Sequence, residues 1–154
     1  MTTLEGKPVP AFDMPTADGD RVSDGALKGQ PYVLYFYPKA DTPGCTTEGK
    51  DFSALMDDFA AAGARVIGVS KDTVRKLSNF KAKHDLTVTL ASDEVESVCA
   101  AFGTWVEKSM YGRTYMGIER ATFLVDAGGV VRKQWSRVKV KGHAEEVLQA
   151  VRDL

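Results

Sequence analysis

The sequence predicts an α/β fold in which a mixed central β-sheet has helices on both faces. Short uncharged runs rich in β-branched and aromatic residues alternate with longer segments of helical period, which favours a parallel core. Two predicted strands, 121–126 and 130–135, flank a glycine turn, which adds an antiparallel hairpin. A length of 154 residues corresponds to about one domain, spanning 1–154. Periodicity alone leaves a small flavodoxin-like sheet open as an alternative.

Charge and composition exclude several classes of partner. The chain has 20 basic and 21 acidic residues, so no bulk charge attracts nucleic acid or an acidic membrane. No apolar run approaches the ~18 residues of a membrane span, and residues 1–7 lack the basic end and apolar block of a secretory signal. Two cysteines do not make a disulfide framework. We therefore expect a cytoplasmic protein without nucleic-acid or membrane partners.

The N-terminal segment predicts a small hairpin at a sheet edge. Pro8–Pro15 is rich in proline, which confines any strand there to an edge. Asp18–Asp20 contains a turn pattern, and Arg21–Ser23 is expected to pair back on the first strand.

The stretch from Tyr32 to Gly63 predicts a buried strand, a short loop and a helix. Tyr32–Tyr37 carries no charge, as in a strand covered on both faces, and Pro38 ends it. Thr42 is the expected N-cap and Pro43 the first helical residue, where a missing N–H costs nothing. Gly63 ends the helix. Its apolar stripe consists of Phe52, Leu55, Met56 and Phe59.

A second strand and helix follow, and then a third strand. Ala64–Ser70 is predicted to be a second buried strand, and Asp72 or Thr73 caps a helix that runs to His84. Thr87–Ala91 is the third short strand.

The next helix is predicted from a capping box. Asp93 and Glu96 have the required spacing. The apolar stripe of this helix consists of Val95, Val98, Cys99 and Phe102, and Gly103 ends it. Residues 104–120 show no clear period, and a structureless stretch of that length inside a compact domain is often functional.

The C-terminal part predicts the closing hairpin and a last helix. Ala121–Asp126 and Val130–Trp135 are its strands. Residues 132–141 contain five basic residues and no acid, which we interpret as a guarded sheet edge rather than a nucleic-acid patch. Gly142 precedes the helix. Its inward stripe consists of Ala144, Val147, Leu148 and Val151.

Cys45 is the main candidate for chemistry. The predicted register makes it the third helical residue, where backbone N–H groups have no intrahelical partner and the helix dipole is positive. Such a position can lower the pKa of a thiol and produce a reactive thiolate. Two prolines and a glycine around the preceding loop favour a rigid presentation of this turn. The alternative is that Cys45 has no chemical role and is simply a small residue that fits in the first turn of the helix.

The spacing Pro38-x-x-x-Thr42-x-x-Cys45 resembles the active-site motif of the peroxiredoxins. The sequence from Thr42 to Glu48 is similar to the corresponding segment of their Q-type, or bacterioferritin-comigratory, branch. The resemblance covers nearly the whole chain. It implies a three-layer thioredoxin-like fold and a thiol peroxidase that acts on hydrogen peroxide or organic hydroperoxides without a cofactor.

Peroxide reduction needs a thiolate, a positioned peroxide and stabilisation of the departing oxygen. The resemblance implies that Cys45 is the nucleophile and that Arg120 is the family's distant arginine. A guanidinium favours the thiolate and donates to peroxide oxygens. Thr42, one turn before Cys45, offers a hydroxyl, and the backbone N–H groups of Gly44 and Cys45 offer two more donors.

Two supporting positions also match the family. Glu48 corresponds to a residue that helps to orient the arginine, although an acid in a first helical turn needs no such role. Pro38 is expected to shield the sulfur from water as well as to end its strand.

The resolving cysteine is where the chain departs from the family. Many Q-type members carry it at the position of Lys50, and others at that of Lys81. Cys99, the other thiol, lies on an apolar stripe typical of an inert core residue. We therefore predict a one-cysteine mechanism in which thioredoxin, glutaredoxin or a small thiol reduces the sulfenic acid of Cys45. An atypical two-cysteine mechanism through Cys99 is the alternative.

Other functions are open at this point. A dithiol–disulfide oxidoreductase needs C-x-x-C, but Glu48 stands three residues after Cys45. A thioredoxin-like binding or chaperone domain would leave Cys45 unused. The histidines and cysteines lack metal-ligand spacing, and no phosphate-cradling glycine motif is present, so no metal or organic cofactor is expected. The branch implies a monomer or a weak homodimer.

Overall fold

The computed structural model describes residues 3–154. The strands are β1 (Asp13–Pro15), β2 (Arg21–Ser23), β3 (Tyr32–Phe36), β4 (Arg65–Ser70), β5 (Thr89–Ser92), β6 (Trp105–Met110), β7 (Arg113–Ile118), β8 (Ala121–Val125) and β9 (Val131–Trp135). The helices are α1 (Asp24–Leu27), α2 (Pro43–Ala54), α3 (Met56–Ala61), α4 (Val74–Lys83), α5 (Ser97–Ala101) and α6 (His143–Arg152). No helix within residues 3–154 is long and apolar enough to cross a bilayer.

The central sheet is mixed, as predicted. Its strand order is β5-β4-β3-β8-β9; β3 and β5 run parallel to β4, while β8 runs antiparallel to both β3 and β9. All five residues of β3 are buried, because helices cover both faces. The predicted N-terminal hairpin is also present, as β1 paired with β2.

Successive residues of β3 point into two separate cores. Leu34 and Phe36 belong to one cluster, with α5 and the end of α1, whereas Val33 and Tyr35 belong to the other, with α2, α3, α4 and α6. This alternation follows from the two-residue period of a strand. A residue on α2 and a residue on α5 therefore lie on opposite sides of the sheet.

The single helix predicted to run up to Gly63 is two helices. The chain breaks at Leu55, whose N–H donates to the Phe52 carbonyl at 3.1 Å, three residues back rather than four. Such a tightened turn ends α2 and restarts the chain as α3. Phe52 and Phe59 are nevertheless buried in the same cluster, so the predicted apolar stripe keeps its face.

The predicted capping box before α5 is wrong. Glu96 adopts a left-handed φ of 59° and its side chain pairs with Lys71 at 2.8 Å instead of capping the helix. The Asp93 carboxylate accepts the N–H of Cys99 at 2.7 Å, which satisfies a first-turn donor from outside the helix. Val95, expected on the inward stripe, is 74% exposed.

Residues 104–120 are not structureless, contrary to the prediction. β6 and β7 pair as an antiparallel hairpin, with Trp105 opposite Ile118. Tyr111 and Gly112 form its two-residue turn, with φ values of 52° and 77°. The hairpin ends two residues before Arg120, so its base lies beside the start of β8.

Candidate active site

The first turn of α2 presents Cys45. Thr42 is the N-cap in an extended conformation, Pro43 is the first helical residue, and Cys45 is the third, as predicted. The Thr46 N–H makes the first intrahelical bond, to the Thr42 carbonyl at 2.8 Å. Within residues 3–154 the N–H groups of Gly44 and Cys45 have no acceptor. These two amides are therefore available to a ligand at the helix entrance.

Arg120 reaches this turn from the segment between β7 and β8. Its Nη2 lies 3.3 Å from Cys45 Sγ, and its Nη1 lies 2.6 Å from Glu48 Oε1. Cys45 and Glu48 are three residues apart on α2, so one planar guanidinium spans both side chains. The structure thus brings together three of the predicted site residues.

Gly44 has a steric reason to lack a side chain. A Cβ at this position would lie 3.3 Å from Arg120 Nη2. A methyl group there would press on the guanidinium that contacts the sulfur.

Burial and ion pairing have opposite effects on the pKa values of Glu48 and Arg120. Burial raises the pKa of Glu48 to about 7, although the adjacent Arg120 acts in the opposite direction. Burial lowers the pKa of Arg120, but Glu48 and Cys45 raise it by more, so that it lies above its ordinary value. Glu48 Oε2 is buried and has no hydrogen-bond partner within the described chain. The guanidinium therefore stays charged, while the carboxyl group titrates near neutral pH.

Thr42 and Pro38 precede the same turn in the chain. The Thr42 hydroxyl donates to the Lys39 carbonyl at 2.7 Å, which leaves its oxygen lone pairs free to accept a hydrogen bond. Pro38 is half-buried, two residues after β3 ends. Its shielding of the sulfur stays a prediction.

Cys99 lies on the other side of the central sheet from this arrangement. It is fully buried on α5, in the cluster on the opposite face of the sheet from Cys45. Burial and the nearby Asp93 raise the pKa of its thiol well above the ordinary range. Both cysteines are free thiols.

Comparison with known proteins identifies the family. Residues 6–134 match the model of the AhpC/TSA family. The chain belongs to this family of peroxiredoxins.

Its relatives include the Q-type branch that the motif predicted. Peroxiredoxin Bcp of Xanthomonas campestris is 47% identical, over 94% of this chain and 92% of that protein. Peroxiredoxin Bcp of Bacillus subtilis is 44% identical, over 100% of this chain and 98% of that protein. A structure of Xanthomonas campestris Peroxiredoxin Q superimposes with a TM-score of 0.88 at 46% identity, covering 92% of this chain and 90% of that one. The structure of a cysteine-to-serine variant of Xylella fastidiosa PrxQ superimposes with a TM-score of 0.93 at 36% sequence identity. The match covers 99% of this chain and 98% of that one.

These findings confirm the thioredoxin-like fold and the enzyme class. The protein is a thiol-dependent peroxidase. No group of three or more side chains with metal-binding chemistry occurs in the part of the chain that the structure describes.

One residue that is electrostatically coupled to the site of this peroxiredoxin has no signal in the sequence. Lys108 lies on β6, within the stretch where no element was predicted, and both Arg120 and Cys45 act electrostatically on it. A lysine in a mostly exposed hairpin strand looks like an ordinary solvated residue, so only the fold reveals it.

Proposed function

We propose that this peroxiredoxin reduces hydrogen peroxide and organic hydroperoxides at Cys45, and that an external thiol reduces the resulting sulfenic acid. The observation that carries the proposal is the 3.3 Å contact between Arg120 Nη2 and Cys45 Sγ at the open end of a helix. A structural study of the Xanthomonas campestris relative concerns its alkyl peroxide reduction activity, which supports organic hydroperoxides as substrates.

In the first step the Cys45 thiolate attacks the terminal oxygen of the peroxide. An S–O bond forms, the O–O bond breaks, and its electron pair leaves on the second oxygen, which must gain a proton. Full ionisation of a thiol gains only ~10–30-fold at neutral pH. Larger rate enhancements must come from hydrogen-bond donors that are held in fixed positions. We assign this role to the Arg120 guanidinium and the backbone amides of Gly44 and Cys45.

Thr42 and Glu48 prepare this step without reacting. The Thr42 hydroxyl proton is held by the Lys39 carbonyl, so its oxygen accepts the peroxide O–H and orients the terminal oxygen toward the sulfur. Glu48 fixes the guanidinium plane through its 2.6 Å contact. Pro38 completes the proposed site by limiting access of water.

In the second step an external thiol attacks the Cys45 sulfenic acid, which releases water and leaves a mixed disulfide. A second thiol then reduces this disulfide. The position of Cys99 across the sheet supports this mechanism, because a disulfide requires Cα atoms within ~7 Å. We propose thioredoxin, glutaredoxin or a small thiol as the reductant in a cytoplasmic setting, with the enzyme as a monomer or weak homodimer.

Peroxide consumption by the wild type, Cys45→Ser and Cys99→Ser, with thioredoxin as donor, tests both steps. We expect Cys45→Ser to be inactive and Cys99→Ser to retain the wild-type rate. Unchanged consumption by Cys45→Ser would contradict the peroxidase step. Mass spectrometry after one equivalent of peroxide provides a second test, because a Cys45–Cys99 disulfide in most molecules would contradict the external reductant.

A further inference from the structure

Asp41, in the loop between β3 and α2, has a left-handed backbone with a φ of 62°. It immediately precedes Thr42, the N-cap of the helix that presents Cys45. Residues other than glycine rarely adopt this conformation, although Asp and Asn tolerate it better than most. Such a residue keeps its conformation only where its surroundings impose it, and it is often found at a functional site. Contacts from elsewhere in the fold must therefore hold Asp41.

The Asp41 carboxylate is held by the end of α4. Its Oδ2 accepts a hydrogen bond from Lys83 Nζ at 2.8 Å, and its Oδ1 contacts His84 Nε2 at 2.8 Å. The hydrogen bonds from His84 and Lys83 lower the pKa of Asp41, so the carboxylate is ionised at neutral pH. Because an ionised carboxylate can only accept, His84 Nε2 carries the proton of this contact. Both oxygens of Asp41 are thus engaged by one helix end.

That helix end is itself fixed on the core. The His84 ring packs edge-on against Phe80, with 5.6 Å between centroids. Phe80 is buried and packs against Tyr37, the residue that directly follows β3, at 6.3 Å. The His84 side chain is only 18% exposed, whereas that of Lys83 is 63% exposed. His84 is therefore the firm anchor of the Asp41 carboxylate, and Lys83 mainly adds charge.

The residues on either side of Asp41 are held as well. The Ala40 N–H donates to Oδ2 of the buried Asp72 at 2.8 Å, and the Thr42 hydroxyl donates to the Lys39 carbonyl at 2.7 Å. The left-handed turn at Asp41 lies between these two hydrogen bonds and sets the direction in which the chain enters Thr42. A different φ at Asp41 would rotate the Thr42 hydroxyl relative to the first turn of α2.

Stability of the fold alone gives little reason for an aspartate at this position. The side chains of Asp41 and Lys83 are 45% and 63% exposed, and ion pairs in contact with water contribute little to folding. A glycine would adopt the left-handed backbone without strain. What an aspartate adds is a carboxylate that ties the loop to α4.

We propose that Asp41 is a positioning residue for peroxide reduction, which holds the Thr42 hydroxyl in the orientation that receives the peroxide. This inference rests on the proposed function of Thr42. The effect of Asp41 is indirect, because it acts through Thr42 and not on the peroxide or the sulfur. The contacts with Lys83 and His84 fix the acceptor oxygen of Thr42 before the peroxide arrives, so less reorganisation is needed during the reaction.

A double-mutant cycle tests this role, with stopped-flow measurement of sulfenate formation from hydrogen peroxide. Asp41→Gly fits the left-handed backbone but lacks the carboxylate, and we expect it to slow this step by about fivefold or more. Asp41→Asn tolerates the conformation and keeps an acceptor oxygen, so its loss should be smaller. Thr42→Val removes the hydroxyl. In that background we expect Asp41→Gly to change the rate by less than ~twofold.

Asp18→Asn is the matched control. Asp18 is another exposed aspartate that pairs with a lysine of α4, since its Oδ2 lies 2.9 Å from Lys81 Nζ, but it lies between β1 and β2. Its replacement should leave the rate unaltered. Thermal unfolding verifies that each variant is folded, and Asp41→Asn carries the test if Asp41→Gly is not.

The cycle separates this inference from the function on which it rests. A wild-type rate in Asp41→Gly would overturn the role of Asp41. The same fractional loss with and without the Thr42 hydroxyl would also overturn it, because Asp41 would then act by another route. Peroxide consumption by Cys45→Ser, or a wild-type rate in Thr42→Val, would instead contradict the proposed function itself.

Discussion

Arg120 Nη1 lies 2.6 Å from Glu48 Oε1, although the two residues are 72 positions apart in the chain. The carboxylate is only 1% exposed, and its second oxygen has no partner among the described residues. A buried carboxylate in which only one oxygen has a hydrogen-bond partner destabilises the folded state, because its charge is removed from water. The Glu48 carboxylate nevertheless orients the Arg120 guanidinium, whose other terminal nitrogen contacts the sulfur of Cys45. Stability and positioning therefore oppose each other at this pair.

Replacement of Arg120 tests the guanidinium directly. We expect Arg120→Ala to slow sulfenate formation by at least ~tenfold, since it removes a charge-assisted contact to the reacting sulfur. Stopped-flow measurement of the second-order rate constant with hydrogen peroxide reports this step alone. Arg132→Ala, which removes an exposed ion pair with Asp126, is the matched control. An unaltered rate in Arg120→Ala would remove this residue from the site.

The Glu48→Gln variant tests the cost of the buried carboxyl group. The pKa of Glu48 is about 7 in the folded protein and 4.5 without the fold, so folding favours the protonated form. The stability from this group is thus complete below about pH 4.5 and is lost as pH rises through 7. Glutamine cannot ionise, so the stability of Glu48→Gln relative to the wild type should rise as pH increases through this range. This relative gain between about pH 4.5 and 7 is on the order of 3 kcal/mol, at about 1.4 kcal/mol per pKa unit.

Urea unfolding of both proteins at several pH values measures this gain. His143 has the opposite dependence, because burial lowers its pKa from 6.5 to about 4 and its contribution is lost as pH falls through 4. Both proteins contain His143, so the difference between their curves isolates Glu48. Parallel curves would show that the Glu48 carboxyl does not titrate as the fold predicts.

A methyl group at Gly44 tests how closely the guanidinium must approach the helix. The added Cβ would lie 3.3 Å from Arg120 Nη2, so we expect Gly44→Ala to displace Arg120 and slow sulfenate formation several-fold. Gly25→Ala is a suitable control, because its Cβ would meet nothing within 4 Å. Equal rates for Gly44→Ala and the wild type would show that the guanidinium can shift without loss of function.

The sequence was informative where local chemistry determined the structure. The uncharged run at Tyr32–Phe36 predicted a buried strand, and Thr42 followed by Pro43 predicted the helix start that presents Cys45. Arg120 was placed only through family resemblance, because nothing local links it to a sulfur 75 residues away. The helical stripe that contains Cys99 indicated burial but not which face of the sheet it would occupy.

The hairpin of β6 and β7 was missed for a physical reason. Its strands are mostly exposed, so no apolar alternation marks them, and its turn is Tyr111-Gly112 rather than the more usual Asn-Gly. The break at Leu55 and the carboxylate of Asp93 at the start of α5 depend on contacts that form only in the folded chain.

Tyr35 and Gly68 lie directly opposite each other on β3 and β4. A Cβ at Gly68 would lie 2.6 Å from Tyr35 Cζ, a distance that requires the ring to move. The Tyr35 ring is fully buried and stacks on Phe52 of α2 at 4.6 Å between centroids, so it has no free space to enter. We expect Gly68→Ala to lower the free energy of unfolding by about 1–3 kcal/mol, the usual cost of overpacking.

Urea unfolding at constant pH measures this loss, with Gly128→Ala as control, because its nearest contact is an ordinary 3.4 Å. Since Phe52 lies on the helix that carries Cys45, Gly68→Ala should also slow sulfenate formation, whereas the control should not. The double variant Gly68→Ala/Tyr35→Leu removes the ring that clashes. Its cost should therefore be smaller than the sum of the two single costs. Simple additivity would locate the strain elsewhere than between these two residues.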